Sequence, residues 1–199
     1  HLAAAAWSAG HLELLDRPFL AWHLSGGTTE LLLVRPDGIT VQAEIIGGTE
    51  DISAGQLIDR TGVRLGLDFP AGKAVDQLSR QAHKDLRFPV KLREFSFSLS
   101  GMENKMEQLV QGGADPADVA RFTLNVVCDT VAKVTERAME RHPGLPVLCS
   151  GGVASNAQLR EVLTRRCSAL FAQPQYSTDN AMGTAILTWR ALERQEGRL

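Results

Sequence analysis

Three short β-type segments between residues 19 and 46 constrain the fold of this 199-residue chain more than any other feature. Residues 19–24 and 29–34 are apolar and are separated by Ser25-Gly26-Gly27, while residues 39–46 alternate apolar and polar side chains. The intervening Pro36-Asp37-Gly38 is a turn sequence, because proline presets φ and glycine accepts a positive φ. Three strands joined by two tight connections predict an antiparallel meander.

Helical patterns follow the meander. The segments with helical spacing are 53–65, 74–82 and 101–110, and a strand-like alternating segment covers 94–99. Asp115-Pro116 is a strong helix start, since the acid caps the helix and proline tolerates the first helical position. From there the three-to-four spacing of apolar residues predicts one long helix to Arg141, which Pro143-Gly144 ends.

The last quarter of the chain alternates strand and helix. Its strands are expected at 145–149 and 169–172 and its helices at 156–166 and 178–194. Sheet strands followed by this alternating tail predict a single mixed α/β lobe, which we assign to residues 16–199. Residues 1–15 begin at His1 rather than methionine and run into an alanine-rich stretch, so we expect them to be the end of a helix from a missing N-terminal lobe.

Composition excludes several classes of protein. Twenty-one Lys and Arg against 23 Asp and Glu give a net charge of −2, so no global basic field recruits nucleic acid. No apolar run approaches the ~18–20 residues of a membrane span, and we expect no membrane partner. The three cysteines, Cys128, Cys149 and Cys167, lack metal-type spacing, and their odd number fits a reducing, cytoplasmic location.

Two Ser-Gly-Gly triplets are candidate binding loops. Ser25-Gly26-Gly27 and Ser150-Gly151-Gly152 each follow an apolar segment, and glycine lets backbone N–H groups approach a phosphate closely. We expect both triplets on one rim of the lobe, within reach of a single nucleotide; ordinary turns are the alternative. Thr178-Asp179-Asn180 opens the last predicted helix, either as a simple cap or as a carboxylate that faces a metal or a nucleotide.

A local basic stretch carries five cations within fourteen residues. They are Arg80, Lys84, Arg87, Lys91 and Arg93, with Asp85 among them. A solvated face is the ordinary interpretation of such a run. The functional alternative is a set of contacts to RNA phosphates.

Five segments occur in the order of one family's motifs. Residues 24–27 are similar to SGGHT, 48–72 to GETxDDAxGExxDKxxxxLGLxYPGG, 97–101 to FSFSG, 151–160 to GGVxxNxxLR, and 178–181 to CTDNAAM. Together they resemble the tRNA threonylcarbamoyladenosine synthase (TsaD-like) family, also known as O-sialoglycoprotein endopeptidases. That family has the ASKHA (actin-like ATPase) fold, in which two ribonuclease-H-like lobes clasp a nucleotide. The resemblance implies the C-terminal lobe, a mixed sheet with the meander and flanking helices.

The resemblance also implies a site. Its nucleotide-contacting positions fall on Ser25, Gly26, Gly27, Asp59, Gly72 and Asn156. The implied ligand is ATP or threonylcarbamoyl-adenylate. The resemblance also implies a divalent metal (iron or zinc) with His1 and Asp179 as ligands. His1 matches the second histidine of an HxxxH helix; the alternative is that His1 is foreign to the natural chain. No catalytic residue is assigned.

Several family positions are substituted. Thr28 replaces a histidine, Ile52 an aspartate, Gln56 a glutamate, Ala71 a glycine and Glu103 a lysine. The losses of polar and acidic groups raise a second hypothesis, a non-catalytic nucleotide-binding paralogue that acts as a partner or regulatory subunit. Another ASKHA enzyme, such as a carbamoyltransferase or sugar kinase, is a third hypothesis that the order of the five motifs disfavours.

The leading hypothesis is an acyltransferase of tRNA modification. By resemblance it passes a threonylcarbamoyl group from its adenylate to an adenosine of tRNA, with protein partners of the same pathway and in a homo- or heterodimer. We expect this chain alone to bind nucleotide weakly and to lack transferase activity, because an ASKHA ligand is held between two lobes and one lobe leaves it exposed to water.

Overall fold

The computed structural model describes residues 1–176 and 181–196. The helices are α1 (Leu2–Ser8), α2 (Ala54–Arg64), α3 (Gly72–Ser79), α4 (Ser100–Gln111), α5 (Pro116–Arg141), α6 (Ala157–Cys167) and α7 (Ala181–Gln195). The strands are β1 (Phe19–Leu24), β2 (Thr29–Asp37), β3 (Thr40–Thr49), β4 (Leu92–Arg93), β5 (Ser96–Phe97), β6 (Val147–Ser150) and β7 (Leu170–Phe171). Short 3₁₀ turns cover Leu12–Asp16, Val153–Ser155 and Pro174–Tyr176. Within the described residues, no helix combines the length and apolar character needed to cross a membrane.

The strands form one mixed sheet in the order β4-β5-β3-β2-β1-β6-β7. β1, β2 and β3 pair antiparallel, so the predicted meander is confirmed. β6 lies parallel to β1 on the other side of the meander, and β7 continues the sheet in parallel. The expected mixed α/β fold is therefore confirmed, and the assignment of residues 16–199 to a single lobe stays a prediction.

β3 extends further than the sequence pattern predicted. The strand continues through Gly47 and Gly48 to Thr49, where it pairs with β5. Gly48 has a φ of 134°, and a Cβ there would overlap the Thr29 carbonyl oxygen of the neighbouring strand. A glycine pair that reads as a strand end in the sequence instead permits a bulged continuation next to β2.

Capping fixes the helix starts. The Asp115 side chain accepts a hydrogen bond from the Ala117 N–H (2.8 Å), and α5 then runs for 26 residues as predicted. Ser53 and Gln56 form a reciprocal capping box at the start of α2.

The predicted strand 94–99 is wrong in extent: within it only Ser96–Phe97 pairs, and Leu99 already caps α4.

The two faces of the sheet carry separate apolar clusters. Leu20, Trp22 and Leu24 of β1 pack in the larger cluster with α2, α5 and α6. Phe19 and Ala21 point to the opposite face, where α1 and α7 cover them. The face that each side chain takes follows from the two-residue period of a strand.

α1 packs against the lobe itself. Ala3, Ala5 and Ala6 are buried in the cluster that also contains Ile186 of α7 and Leu148 of β6. Small side chains allow this close approach of the helix to its neighbours. The assignment of residues 1–15 to the end of another lobe's helix stays a prediction.

The cysteines are free and buried. Burial raises the pKa of the Cys128 thiol to about 12 and that of Cys167 to about 11. Burial also raises the pKa of Cys149. Thiols held protonated in the core act as small apolar side chains rather than as nucleophiles.

A buried arginine fastens α7 to the meander. Arg190 is 3% exposed, its Nε donates to the Ile39 carbonyl oxygen (3.1 Å), and its guanidinium donates to the Asp16 carboxylate (2.5 Å and 3.2 Å). These bonds join the closing helix to both the β2–β3 turn and the segment before β1. Each of the three guanidinium nitrogens thus donates one hydrogen bond, and the two bonds to Asp16 are charge-assisted.

We expect Arg190→Ala to lower the free energy of unfolding by about 2–3 kcal/mol, because it leaves the Ile39 carbonyl and Asp16 without their donor. Urea denaturation followed by circular dichroism measures the change. Arg165→Ala is the matched control, since Arg165 makes only an exposed 3.8 Å pair with Glu161, and its effect should stay below about 0.5 kcal/mol. Equal effects of the two substitutions would contradict the fastening role.

Candidate nucleotide-binding site

The two Ser-Gly-Gly loops leave the sheet at the same edge. β1 and β6 are parallel neighbours, with His23 opposite Ser150 in the register. Adjacent strands lie about 4.8 Å apart, so loops that follow the same ends of these strands are close neighbours. The predicted common rim is confirmed, and its use by a single nucleotide stays a prediction.

Hydrogen bonds hold the first loop in one shape. The Ser25 N–H donates to the Thr28 carbonyl oxygen (2.8 Å), and the Thr28 N–H donates to Ser25 Oγ (3.0 Å). Ser53 Oγ donates to the Gly26 carbonyl oxygen (2.6 Å), which ties the loop to the start of α2. No acceptor for the Gly26 or Gly27 N–H is found in the described part of the chain, and both glycines are exposed. The loop therefore presents two free donors.

The structure separates glycines required by the fold from glycines that it does not require. Gly151 has a φ of 96°, and a Cβ there would overlap the backbone of Leu24. Gly26, Gly27 and Gly152 have ordinary φ values and open space where a Cβ would lie. Neither strain nor packing explains these three glycines. Close approach of a ligand to the backbone at these positions stays a prediction.

Asp59 links α2 to the start of α3. Its Oδ1 accepts a hydrogen bond from the Ala71 N–H (2.8 Å), which places Gly72, an exposed residue with open space at its Cβ position, beside it. Asp59 also lines a cleft of about 670 Å³ between α2 and α4. The other lining residues are Gly26, Gln56, Arg60, Val63, Arg64, Phe69 and Glu103. Two predicted contact residues thus share one concave surface.

Asn156 is held by a residue that the sequence analysis did not single out. Its Oδ1 caps α6 by accepting from the Leu159 N–H (3.0 Å), and its Nδ2 donates to Asp76 Oδ1 on α3 (3.0 Å). Asp76 also pairs with Arg80 at 2.6 Å. The bond joins residues 80 positions apart, and an acid in a helix gives no local sign of such a partner.

Asp51 anchors the segment that begins α4. Its carboxylate accepts from the Leu99 N–H (2.8 Å), from the Ser98 hydroxyl and from the Ser100 N–H (3.3 Å). Burial acts to raise the pKa of Asp51, but the hydrogen bonds from Ser98, Ser100 and Leu99 outweigh it and hold the pKa well below its usual range. The carboxylate therefore stays ionised and locks residues 98–100 against the end of β3.

The metal ligand prediction can be followed at His1 but not at Asp179, which lies outside the described residues. The His1 ring lies 5.8 Å from the ring of His23, centroid to centroid. Burial lowers the pKa of His23; the Glu30 carboxylate opposes this effect, and the nearby N-terminal ammonium adds to it. A metal ion at His1 stays a prediction. Among the described residues no three His, Cys, Asp or Glu side chains converge.

The basic stretch is largely paired with acids. Arg80 pairs with Asp76, Arg87 pairs with Asp85 and Asp129, and Arg93 pairs with Glu50. Carboxylates therefore offset the charge of all three arginines. A contact of this stretch with RNA phosphates stays a prediction.

The substituted family positions have partners in this chain. Gln56 completes the α2 capping box, and Glu103 accepts a bidentate hydrogen bond from Arg60 (2.9 Å to each oxygen). Ala71 is fully buried beside Gly62. Ile52 packs against the larger apolar cluster. Each of these four side chains therefore makes contacts of its own within the lobe.

Comparison with known sequences identifies the family. The sequence profile described as TsaD, tRNA N6-adenosine threonylcarbamoyltransferase, matches residues 1–186. The chain belongs to this family. It is 34% identical over 180 residues to the tRNA N6-adenosine threonylcarbamoyltransferase of Lactiplantibacillus plantarum, covering 86% of this chain and 51% of that protein. The Thermus thermophilus enzyme of the same name is 34% identical over 195 residues, covering 96% of this chain and 58% of that protein. The chain thus spans about half the length of the curated relatives it matches.

Solved structures confirm the fold. Full-length HypF in its phosphate- and nucleotide-bound form aligns with a TM-score of 0.72 at 13% identity, over 97% of this chain and 42% of HypF. The 2-hydroxyisocaproyl-CoA dehydratase activator of Clostridium difficile, with bound ADPNP, aligns with a TM-score of 0.56 at 12% identity, over 98% of this chain and 68% of the activator. These likenesses establish the ASKHA-type lobe that the TsaD motifs implied.

Gly27→Ala tests whether the open glycines serve a ligand. We expect the free energy of unfolding to change by less than about 0.5 kcal/mol and the affinity for ATP to fall about tenfold, or about 1.4 kcal/mol. Titration calorimetry and urea denaturation measure the two quantities. Gly151→Ala is the contrasting variant, since its positive φ predicts a loss of stability of about 1–2 kcal/mol. Unchanged ATP affinity in Gly27→Ala would show that the loop does not contact the nucleotide.

Asp51→Asn tests the anchor of residues 98–100. A carboxylate whose pKa is depressed by folding stabilises the protein above the unfolded pKa of about 4, and this contribution is lost as the pH falls further. We therefore expect the wild type to have a higher urea midpoint than Asp51→Asn at pH 7. The difference between the two midpoints should decrease below about pH 4. A gap that is constant across this range would mean that the charge of Asp51 contributes nothing.

Proposed function

We propose that this chain is the nucleotide-binding lobe of an enzyme that transfers a threonylcarbamoyl group from its adenylate to an adenosine of tRNA. The observation that carries the proposal is the open, donor-rich Ser25-Gly26-Gly27 loop at the end of β1, beside the Gly151-Gly152 loop and Asp59. Membership of the TsaD family supports the substrate class. The names of the relatives support the transfer reaction.

Different residues of the chain would bind different parts of the nucleotide. The free N–H groups of Gly26 and Gly27 would bind phosphate oxygens, as backbone donors in glycine loops do. Asp59 uses one carboxylate oxygen for Ala71, and its second oxygen, which has no partner among the described residues, would accept from a ribose hydroxyl. Asn156 keeps one amide hydrogen beyond its bond to Asp76 for the ribose or the purine.

The transfer makes one bond and breaks another at the carbamoyl carbon. The amine nitrogen of the adenosine forms a bond to the carbamoyl carbon, the bond from that carbon to the phosphate oxygen breaks, and AMP leaves as the amine gives up a proton. A divalent metal on His1 and Asp179, when bound, would act as a Lewis acid on the acyl or phosphate oxygens. The glycine loop would hold the phosphate of the leaving AMP and so fix the direction in which the carbonyl is approached.

We further propose a cytoplasmic site of action, tRNA as the macromolecular substrate, and protein partners of the same modification pathway. The matched region covers 51% and 58% of two relatives, which supports a second lobe across the cleft. One lobe alone would expose the acyl-adenylate to water. The chain by itself should therefore bind nucleotide weakly and fail to modify tRNA.

The test compares this chain with its longer parent protein. Each is titrated with ATP in a calorimeter and then incubated with synthetic threonylcarbamoyl-adenylate and unmodified tRNA, whose nucleosides are analysed by mass spectrometry. We expect tighter ATP binding and tRNA modification only by the parent. In the parent, Asp59→Asn should weaken ATP binding by about tenfold, whereas Asp37→Asn, in the turn at the far end of β2, should not.

Three outcomes would contradict the proposal. Modification by the chain alone, or equal ATP affinity in chain and parent, would show that the second lobe is dispensable. A parent that binds ATP but never modifies tRNA would instead establish the non-catalytic paralogue.

A further inference from the structure

We propose that Ser53 is a positioning residue for the nucleotide phosphate, because it holds the Gly26–Gly27 peptide in the orientation that presents the Gly27 N–H to the ligand. The inference rests on the proposed nucleotide-binding role of the glycine loop and adds a residue that the sequence analysis did not place in the site. Ser53 is the residue before α2 and is 1% exposed.

The Ser53 hydroxyl makes two hydrogen bonds with different consequences. Its oxygen accepts from the Gln56 N–H (3.0 Å) and so caps α2. Its hydrogen is donated to the Gly26 carbonyl oxygen (2.6 Å), a short distance for an O–H···O bond. A helix cap needs only an acceptor, which an Asp or Asn side chain also supplies. The bond to Gly26 is therefore an interaction that the start of α2 does not itself require.

The carbonyl that Ser53 binds belongs to the same peptide unit as the Gly27 N–H. This unit is planar and trans, so its C=O and N–H point in opposite directions. With the Gly26 carbonyl oxygen held by Ser53, the Gly27 N–H points away from the start of α2. Gly27 is exposed, and a Cβ on it would meet no atom within 4 Å. A phosphate oxygen therefore has room to approach this donor.

The first turn of α2 gives Ser53 a fixed support beside the loop. A Cβ on Gly55 would lie only 2.5 Å from the Gly26 Cα, so the absence of a side chain there lets the helix contact the loop backbone. The Ala54 N–H donates to Thr29 Oγ1 (2.8 Å), which joins the helix to the strand after the loop. Adjacent glycines have wide conformational freedom. Restricting them before the ligand binds lowers the entropic cost of binding.

The experiment uses the ¹⁵N-labelled 199-residue chain, titrated separately with AMP and with adenosine while the amide resonances are recorded by NMR. The two ligands differ only in the phosphate, so the ratio of their dissociation constants isolates the phosphate contribution. Ser53→Ala and Ser53→Gly both remove the hydroxyl, but glycine is a much better N-cap than alanine. Asp115→Ala removes the N-cap of α5 and is the matched control for a lost helix cap. Circular dichroism and urea denaturation check the fold and stability of each variant.

We expect the wild type to bind AMP more tightly than adenosine, with the Gly27 amide resonance shifting on addition of AMP only. Ser53→Ala and Ser53→Gly should both lose about three- to tenfold in AMP affinity, the contribution of one hydrogen bond. Their adenosine affinity should stay at the wild-type value. Asp115→Ala should keep both affinities, since its cap does not contact the loop.

Three results would overturn the proposal. They are an AMP affinity that follows helix stability (a large loss in Ser53→Ala and a small one in Ser53→Gly), an AMP affinity unchanged in both variants, and equal wild-type affinities for AMP and adenosine. If Ser53→Ala does not fold, Ser53→Gly alone decides between a loss and no loss of AMP affinity. Transfer to tRNA is measured in a separate assay, so failure here and failure of the proposed function can be told apart.

Discussion

The parallel pairing of β1 with β6 is the interaction on which the candidate site depends. It places His23 beside Ser150, so that the two glycine loops begin within one strand spacing of each other. The pairing cannot slip by one residue, because Trp22 would then leave the larger apolar cluster for the opposite face. Trp22 is further fixed by its Nε1–H, which donates to Thr135 Oγ1 of α5 (2.8 Å). Core packing thus sets the register that the loops require.

Elements with local signals could be predicted from the sequence. The meander follows from alternation and its turn, and α5 follows from the Asp115 cap and a regular apolar stripe. Short elements could not be predicted in this way. β5 is a strand only because Ser96 and Phe97 meet Gly48 and Thr49, which are distant in sequence. A two-residue strand has no periodicity of its own.

The same limit applies to the site. The glycine loops were recognised by composition, but the sequence could not separate Gly151, which the backbone requires, from Gly27, which it does not. Whether a glycine is required depends on its φ and on the atoms that a Cβ would meet, and both depend on the fold. The bond between Asn156 and Asp76 and the contact between His1 and His23 likewise join residues far apart in the chain. Side chains that are held only by tertiary contacts carry no local pattern.

Strand alternation gives the two faces of β1 different surroundings. Leu24 packs on the face that carries α2 to α6, the helices that position Asp59, Gly72 and Asn156. His23, one residue earlier, takes the opposite face, beneath the helix that His1 begins. Ser25 then opens the glycine loop between the two faces. Because neighbouring residues on a strand project to opposite sides, this one short strand contributes to both apolar clusters and carries the proposed phosphate loop at its end. The two-residue period of β1 therefore determines both how the lobe packs on its two faces and where the glycine loop begins.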